Sequence, residues 1–188
     1  LKEGMKEIKK KIKKLLKVKK LVFVGISGGS ASGKTWVAER LKGEILSMDS
    51  YYIGINNMKN NNFDSPDALN LNLLKEHLKK LREGKFIEKP IYSFKTHSRE
   101  GFEPFKLRKK VLIIEGLFAL NEIIKDELDL KVFLDINNDL RLERRIKRDV
   151  EERGRTRESV IKQWKQVEEM YGLYILPTIK KADIVIKE

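Results

Sequence analysis

Eight consecutive residues, Gly28, Gly29, Ser30, Ala31, Ser32, Gly33, Lys34 and Thr35, fit the pattern G-x-x-x-x-G-K-[ST]. Each residue type has a use around a polyphosphate. The three glycines let the backbone turn where other residues cannot and come close to the phosphates. The N–H groups of the turn then point inward, and the start of a following helix adds positive potential. Lys34 can reach the β and γ phosphates, and the Thr35 hydroxyl can ligate magnesium. The plainer explanation is a flexible Gly/Ser turn ahead of a helix. It is disfavoured because the motif's required context is present: an apolar run over 21–27 precedes it and WVAERL follows it.

Two acids extend this chemistry. Asp49 closes the segment EILSMD (44–49), and Glu115 lies at the end of VLIIEG (111–116). Both segments read as strands, and in an α/β sheet chemistry collects at the carboxyl ends of strands. There Asp49 can face a γ-phosphate, and Glu115 can hold magnesium directly or through water. Seven arginines, 141, 144, 145, 148, 153, 155 and 157, fall within seventeen residues. A solvated helix with Glu143, Glu151 and Glu152 as ion-pair partners accounts for Arg141 and Arg144 at least as well as function does. For Arg145 and Arg148, and for the turn at Gly154 and Arg155, function is favoured. A phosphoryl group in transfer spreads charge over its equatorial oxygens, and mobile arginines closing over it stabilise that charge and exclude water. Such a segment is a lid.

The elements that position these groups alternate. Strands are expected over 21–27, 44–49, 111–116, 131–136 and 182–186. Helices are expected over 35–42, 71–82, 117–128, 139–153 and 157–171, the second carrying a buried stripe of Leu71, Leu74, Leu78 and Leu81. An asparagine-rich loop spans 53–62, and a strand-and-loop insertion over 85–107 is placed to cap a pocket. The 188 residues suit one domain. With no cysteine there is no disulfide framework or thiolate metal site. No signal peptide or apolar stretch long enough to span a membrane is visible, so a soluble, cytoplasmic protein is expected.

Of the net charge of +13, residues 1–20 carry +8, from ten lysines and two glutamates, and the other 168 residues only +5. That body suits small phosphates without requiring a nucleic acid. Residues 1–20 read as a basic amphipathic helix with Leu1, Met5, Ile8, Ile12, Leu15 and Leu16 on one face. Packing on the domain, or a remnant of a preceding segment, is favoured over binding to a membrane or a nucleic acid.

The motifs GISGGSASGKT, DSYY, FDSPDALNLNLL, PIYSFKTHSR, VLIIEGLFAL, RLERRIKRDVEERGR and LPTIKKADIVI, in this order over 21–186, resemble the uridine kinase (uridine–cytidine kinase) family. PIYSFKTHSR together with RRIKRDVEERGR is the most specific part. The resemblance implies a three-layer α/β/α fold of the phosphate-loop NTPase type, with a central, mostly parallel sheet, a β-rich nucleoside-capping insertion and an arginine-rich helical lid. The domain would run over 21–188.

The resemblance also implies transfer of a γ-phosphate from ATP or GTP, with Mg2+, to the 5′-hydroxyl of uridine or cytidine, and a possible homo-oligomer. The family's general base falls on Asp49, beside the magnesium-site residues Thr35 and Glu115. Tyr52 belongs to the same site motif, ribose contacts fall on Asp64, Arg145 and Arg155, and pyrimidine contacts on Tyr92, His97 and Gln163. Arg148 and Arg153 fall on the lid. Only fourteen residues separate Lys34 from Asp49, fewer than in typical members, so the first helix and second strand must be short. Two alternatives stand beside this reading. One is a kinase of another small alcohol, of phosphoribulokinase or pantothenate-kinase type. The other is a non-catalytic, RNA-associated nucleotide-binding module.

Overall fold

A computed structural model describes residues 1–59 and 61–188; Asn60, within the expected asparagine-rich loop, lies outside the described residues. The chain begins with helix α1 (Lys2–Leu15). Strand β1 (Val22–Gly28), helix α2 (Lys34–Arg40) and strand β2 (Glu44–Ser47) follow. Helix α3 (Leu71–Arg82) leads into the strands β3 (Ile87–Ser93) and β4 (Ser98–Phe105). Strands β5 (Val111–Glu115) and β6 (Leu130–Asp135) return to the core. Helices α4 (Asn138–Arg153) and α5 (Arg157–Met170) precede the last strand, β7 (Ile184–Lys187).

Five strands form one parallel sheet in the order β2-β5-β1-β6-β7. Side chains alternate across it, as a pleat requires. From β1, Phe23 joins the core on the face covered by α3, while Val22, Val24 and Ile26 join the core on the face covered by α1 and α2. A parallel sheet buried on both faces explains the unbroken apolar runs of its strands. The chain leaves β1 for β2 on one side, and after β5 crosses to β6 on the other. The carboxyl ends of β1, β2 and β5 therefore border a crevice at the point where strand order reverses. The hairpin β3-β4 is a separate antiparallel sheet.

The α1 helix packs on the sheet. Ile8 and Ile12 are buried, and Leu1, Met5, Leu15 and Leu16 lie against the same core. The whole expected apolar stripe is thus used inward, which leaves the lysines outside. Among the described residues no helix is long and apolar enough to cross a membrane.

Three expected elements differ. The strand expected to reach Asp49 stops at Ser47, and Met48–Tyr51 form a 3₁₀ turn that Ser47 caps by accepting the Asp49 N–H. The first helix and second strand are short, at seven and four residues, yet the register of β2 on β5 is regular, pairing Ser47 with Glu115. The helix expected over 117–128 is a series of turns, with one 3₁₀ turn at Lys125–Glu127. These turns approach β1 closely. A methyl group on Gly25 would lie 2.4 Å from the Leu128 side chain and 3.3 Å from the Ala119 carbonyl oxygen. The missing side chain of Gly25 makes the room in which these turns pack on the sheet. Phe118, Ala119, Leu120 and Ile124 are all buried, and the Asn121 side chain accepts the Ile123 N–H to hold the bend.

Candidate active site

The phosphate loop bends sharply between β1 and α2. Gly33 has φ 91°, which a side chain would resist, and Ala31 is held at φ 59°, a strained position for a residue with a Cβ. The Lys34 ammonium donates to the carbonyls of Gly28 and Gly29 at 3.0 and 2.8 Å, so it lies folded along the loop. Burial lowers its pKa to about 8, against the opposing pull of Glu115 and Asp49. Ser30, Ala31, Lys34 and Thr35 open onto a cavity of about 1090 Å³, while Gly28, Gly29, Ser32 and Gly33 form the loop beneath it.

Glu115 and Asp49 enter this cavity from the ends of β5 and β2. Strand register brings Ser47 beside Glu115, and the Ser47 hydroxyl donates to it at 2.7 Å. The Thr35 hydroxyl reaches the other carboxylate oxygen at 3.4 Å. Burial raises the Asp49 pKa to about 6, and the nearby charge of Glu115 adds to the rise. Two carboxylates and two hydroxyls gathered here are hard oxygen donors, the set a magnesium ion takes when substrate phosphates supply further ligands. Among the described residues no three His, Cys, Asp or Glu side chains converge into an all-protein metal cage. The donor set therefore fits a cation that arrives with a polyphosphate.

The hairpin and the segment after β2 build the far wall. Tyr52, Asp64 and His97 line the cavity. The Tyr52 hydroxyl donates to the Phe63 carbonyl at 3.0 Å. Burial raises the Asp64 pKa, while Arg145 and Lys34 oppose the rise. His97, at φ 51° in the β3-β4 turn, packs against Phe63 with ring centres 5.1 Å apart and planes tilted by 40°. Tyr92 is set behind this wall, 5.4 Å from the Tyr52 ring and 5.2 Å from Phe94, and does not line the cavity itself. The wall's two phenylalanines, Phe63 and Phe94, were not singled out from the sequence, although they stand inside FDSPD and PIYSFKTHSR.

The α4-α5 pair closes the cavity. Gly154, at φ 64°, ends α4 and turns the chain so that Arg155 folds back. Arg145, Arg148, Arg153, Arg155 and Gln163 all line the cavity. Arg145 donates to the Ser30 hydroxyl at 3.0 Å, which ties the lid to the phosphate loop. Gln163 accepts from Arg155 at 2.6 Å and Arg145 at 3.2 Å. Arg153 lies over Phe94, 5.3 Å from the ring centre, so lid and hairpin meet above the cavity.

The solvated-face reading fails for Arg141, while Arg144 stays half-buried at the surface with a partner other than the expected ones. Arg141 is 2% exposed and forms a two-pronged pair with Glu168, both contacts at 2.8 Å. Its guanidinium lies under the phosphate loop, where a methyl group on Gly29 would come within 2.4 Å of it. Arg144 pairs with Glu188. Glu143, Glu151 and Glu152 are exposed and form no ion pair among the described residues. Sequence spacing pointed to local partners, and the real ones lie on α5 and at the end of β7.

Comparison with known proteins agrees with this architecture. A uridine kinase of Ligilactobacillus salivarius is 43% identical over 187 residues, covering 90% of this chain and 86% of that protein. A uridine kinase of Clostridium novyi is 40% identical over 181 residues, covering 89% and 87%. A solved structure described as a possible uridine kinase from Bacillus stearothermophilus shares the fold, with a TM-score of 0.68 at 20% identity and 98% coverage of both chains. The family model for the phosphoribulokinase / uridine kinase family matches residues 47–188, and with 43% identity to a relative across nine-tenths of its length, the chain belongs to that family of kinases.

Proposed function

We propose that the protein transfers the γ-phosphate of ATP or GTP to the 5′-hydroxyl of uridine or cytidine. The observation that carries this reading is a single cavity with two chemically different ends. One end holds Lys34, Thr35, Asp49 and Glu115, and the other holds Asp64, His97 and Gln163 among aromatic walls. A triphosphate and a flat, hydroxylated acceptor fit those ends in that order.

In this reading Asp49 accepts the proton of the attacking hydroxyl. The oxygen–phosphorus bond forms as the β–γ bridging bond breaks, and the nucleoside diphosphate leaves with the electron pair. A primary alcohol is a poor nucleophile, so a buried carboxylate near the γ-phosphate is the expected device. Lys34, Arg148 and Arg153 offset the charge on the transferring group. Asp64, Arg145 and Arg155 hold the ribose, and His97 and Gln163 contact the base, with Tyr52 backed by Tyr92 shaping the wall. Thr35 and Glu115, with Asp49 close by, would hold Mg2+, which would supply charge neutralisation for the polyphosphate. Positioning alone supplies on the order of 7–11 kcal/mol in well-oriented reactions, so the rigid sheet ends matter as much as the acid.

The test is to follow labelled γ-phosphate. With uridine or cytidine present, label should move into the nucleoside monophosphate in step with donor consumption. Donor consumption without a phosphorylated acceptor would sink the reading.

A further inference from the structure

The lid's arginines share one partner. Asp149, on α4, has a side chain only 1% exposed, and four guanidiniums surround it. Arg148 is closest, donating Nε to Oδ1 at 2.9 Å with a second nitrogen at 2.7 Å. Arg155 reaches Oδ2 at 3.4 Å, Arg145 Oδ2 at 3.5 Å, and Arg153 Oδ1 at 3.7 Å. The Arg155 backbone N–H also bonds the Asp149 carbonyl at 3.0 Å, which fixes the turn after α4. One carboxylate thus stands against four positive charges, and removing it would leave them to repel one another in a partly dry environment.

The four arginines all line the cavity and reach different parts of it. Arg145 and Arg155 meet at Gln163, and Arg145 also donates to Ser30 of the phosphate loop. Arg153 lies over Phe94 of the hairpin, and the charges of Arg148 and Arg153 both act on Asp49. The two oxygens of Asp149 share the four, Oδ2 facing Arg145 and Arg155, Oδ1 facing Arg148 and Arg153. We propose that Asp149 is a positioning residue that sets the spacing of the four lid arginines, so that the lid presents them over the cavity in register. This deepens the phosphotransfer reading and rests on it. An Asp within an arginine-rich helix looks like an ordinary ion-pair partner in the sequence, and only the fold shows one carboxylate gathering four arginines.

The experiment compares Asp149→Asn with the wild-type chain, using whichever acceptor the wild type phosphorylates. Thermal melting first establishes that the variant folds. Acceptor KM should then rise about tenfold and kcat fall about 100-fold, as expected when reacting groups are misplaced by about 1 Å, with donor affinity changed less than about threefold. The double variant Asp149→Asn/Arg148→Gln should lose clearly less kcat than the product of the two single losses, because part of the effect of Asp149 runs through that arginine. Wild-type kinetics in Asp149→Asn, or additive losses in the double variant, would overturn the proposal.

Should Asp149→Asn fail to fold, a cycle of Arg148→Gln and Arg155→Gln takes its place, read as acceptor affinity without donor. Coupling of about fivefold or more supports a shared anchor, and additivity overturns it. Failure of the wild type to phosphorylate uridine or cytidine refutes the acceptor reading alone, since the Asp149 comparison still runs with another accepted alcohol.

Discussion

Asp49 carries a conflict between stability and function. Burial and the facing Glu115 raise its pKa from 3.8 to about 6. For an acid, a raised folded pKa means that the ionised form costs stability. The cost is fully present above pH 6 and fades as pH falls from 6 towards 3.8. A shift of about two pH units corresponds to at most about 3 kcal/mol. Asp49→Asn should therefore raise the melting temperature at pH 7 in metal-free buffer, by the equivalent of about 1–3 kcal/mol, and the gain should vanish near pH 4. The same variant should bind nucleotide normally and lose at least about 100-fold in turnover. Near-normal turnover would remove Asp49 as the base. At the other end, His97→Ala should weaken acceptor binding by about tenfold, because it removes the ring packed against Phe63 in the cavity wall, and leave donor affinity unchanged by titration calorimetry. Equal loss of both would point to a folding defect.

At the scale of elements, local signals and tertiary ones separate cleanly. Helix α3 was legible to the residue, because Asn70 caps it, a leucine stripe fills its buried face and Gly84 follows its end. Helices α4 and α5 were legible for the same kind of reason, with Gly154 between them and Thr156 capping the second. The segment over 117–128 was not legible. Its composition suits a helix, and the turns it forms instead pack closely on Gly25 of β1, a contact no local signal reveals. The partners of Arg141 were hidden likewise, since Glu168 lies 27 residues away. In the site, the phosphate loop and both acids could be read because their chemistry is tied to strand ends. The retreat of Tyr92 behind Tyr52 depends on a bulge in β3 between Ile91 and Tyr92 that no spacing reveals. Helix α1 gives an element-scale prediction. Ile8→Ala should cost about 2–5 kcal/mol in chemical denaturation, while Lys10→Gln on the exposed face should change stability by less than about 0.5 kcal/mol. Equal effects would contradict inward packing of the helix.

Over the whole molecule, the sheet fixes the donor end and the hairpin and lid enclose the acceptor end, with Arg153 against Phe94 joining the two covers. Ligands that bind only this folded arrangement should stabilise it. At about 100 times its dissociation constant, a donor nucleotide with Mg2+ should add about 2.7 kcal/mol to unfolding, and Lys34→Ala should abolish most of that gain. The central claim concerns what the acceptor end takes. Steady-state kcat/KM should be measured for uridine, cytidine, purine nucleosides, a phosphoribulose and pantothenate, each against ATP and GTP with Mg2+. Uridine or cytidine should lead the panel by about 100-fold or more, because a site built to hydrogen-bond one acceptor leaves buried polar groups unpaired with another. No turnover of either pyrimidine nucleoside, together with turnover of the sugar phosphate or the vitamin alcohol, would contradict the account.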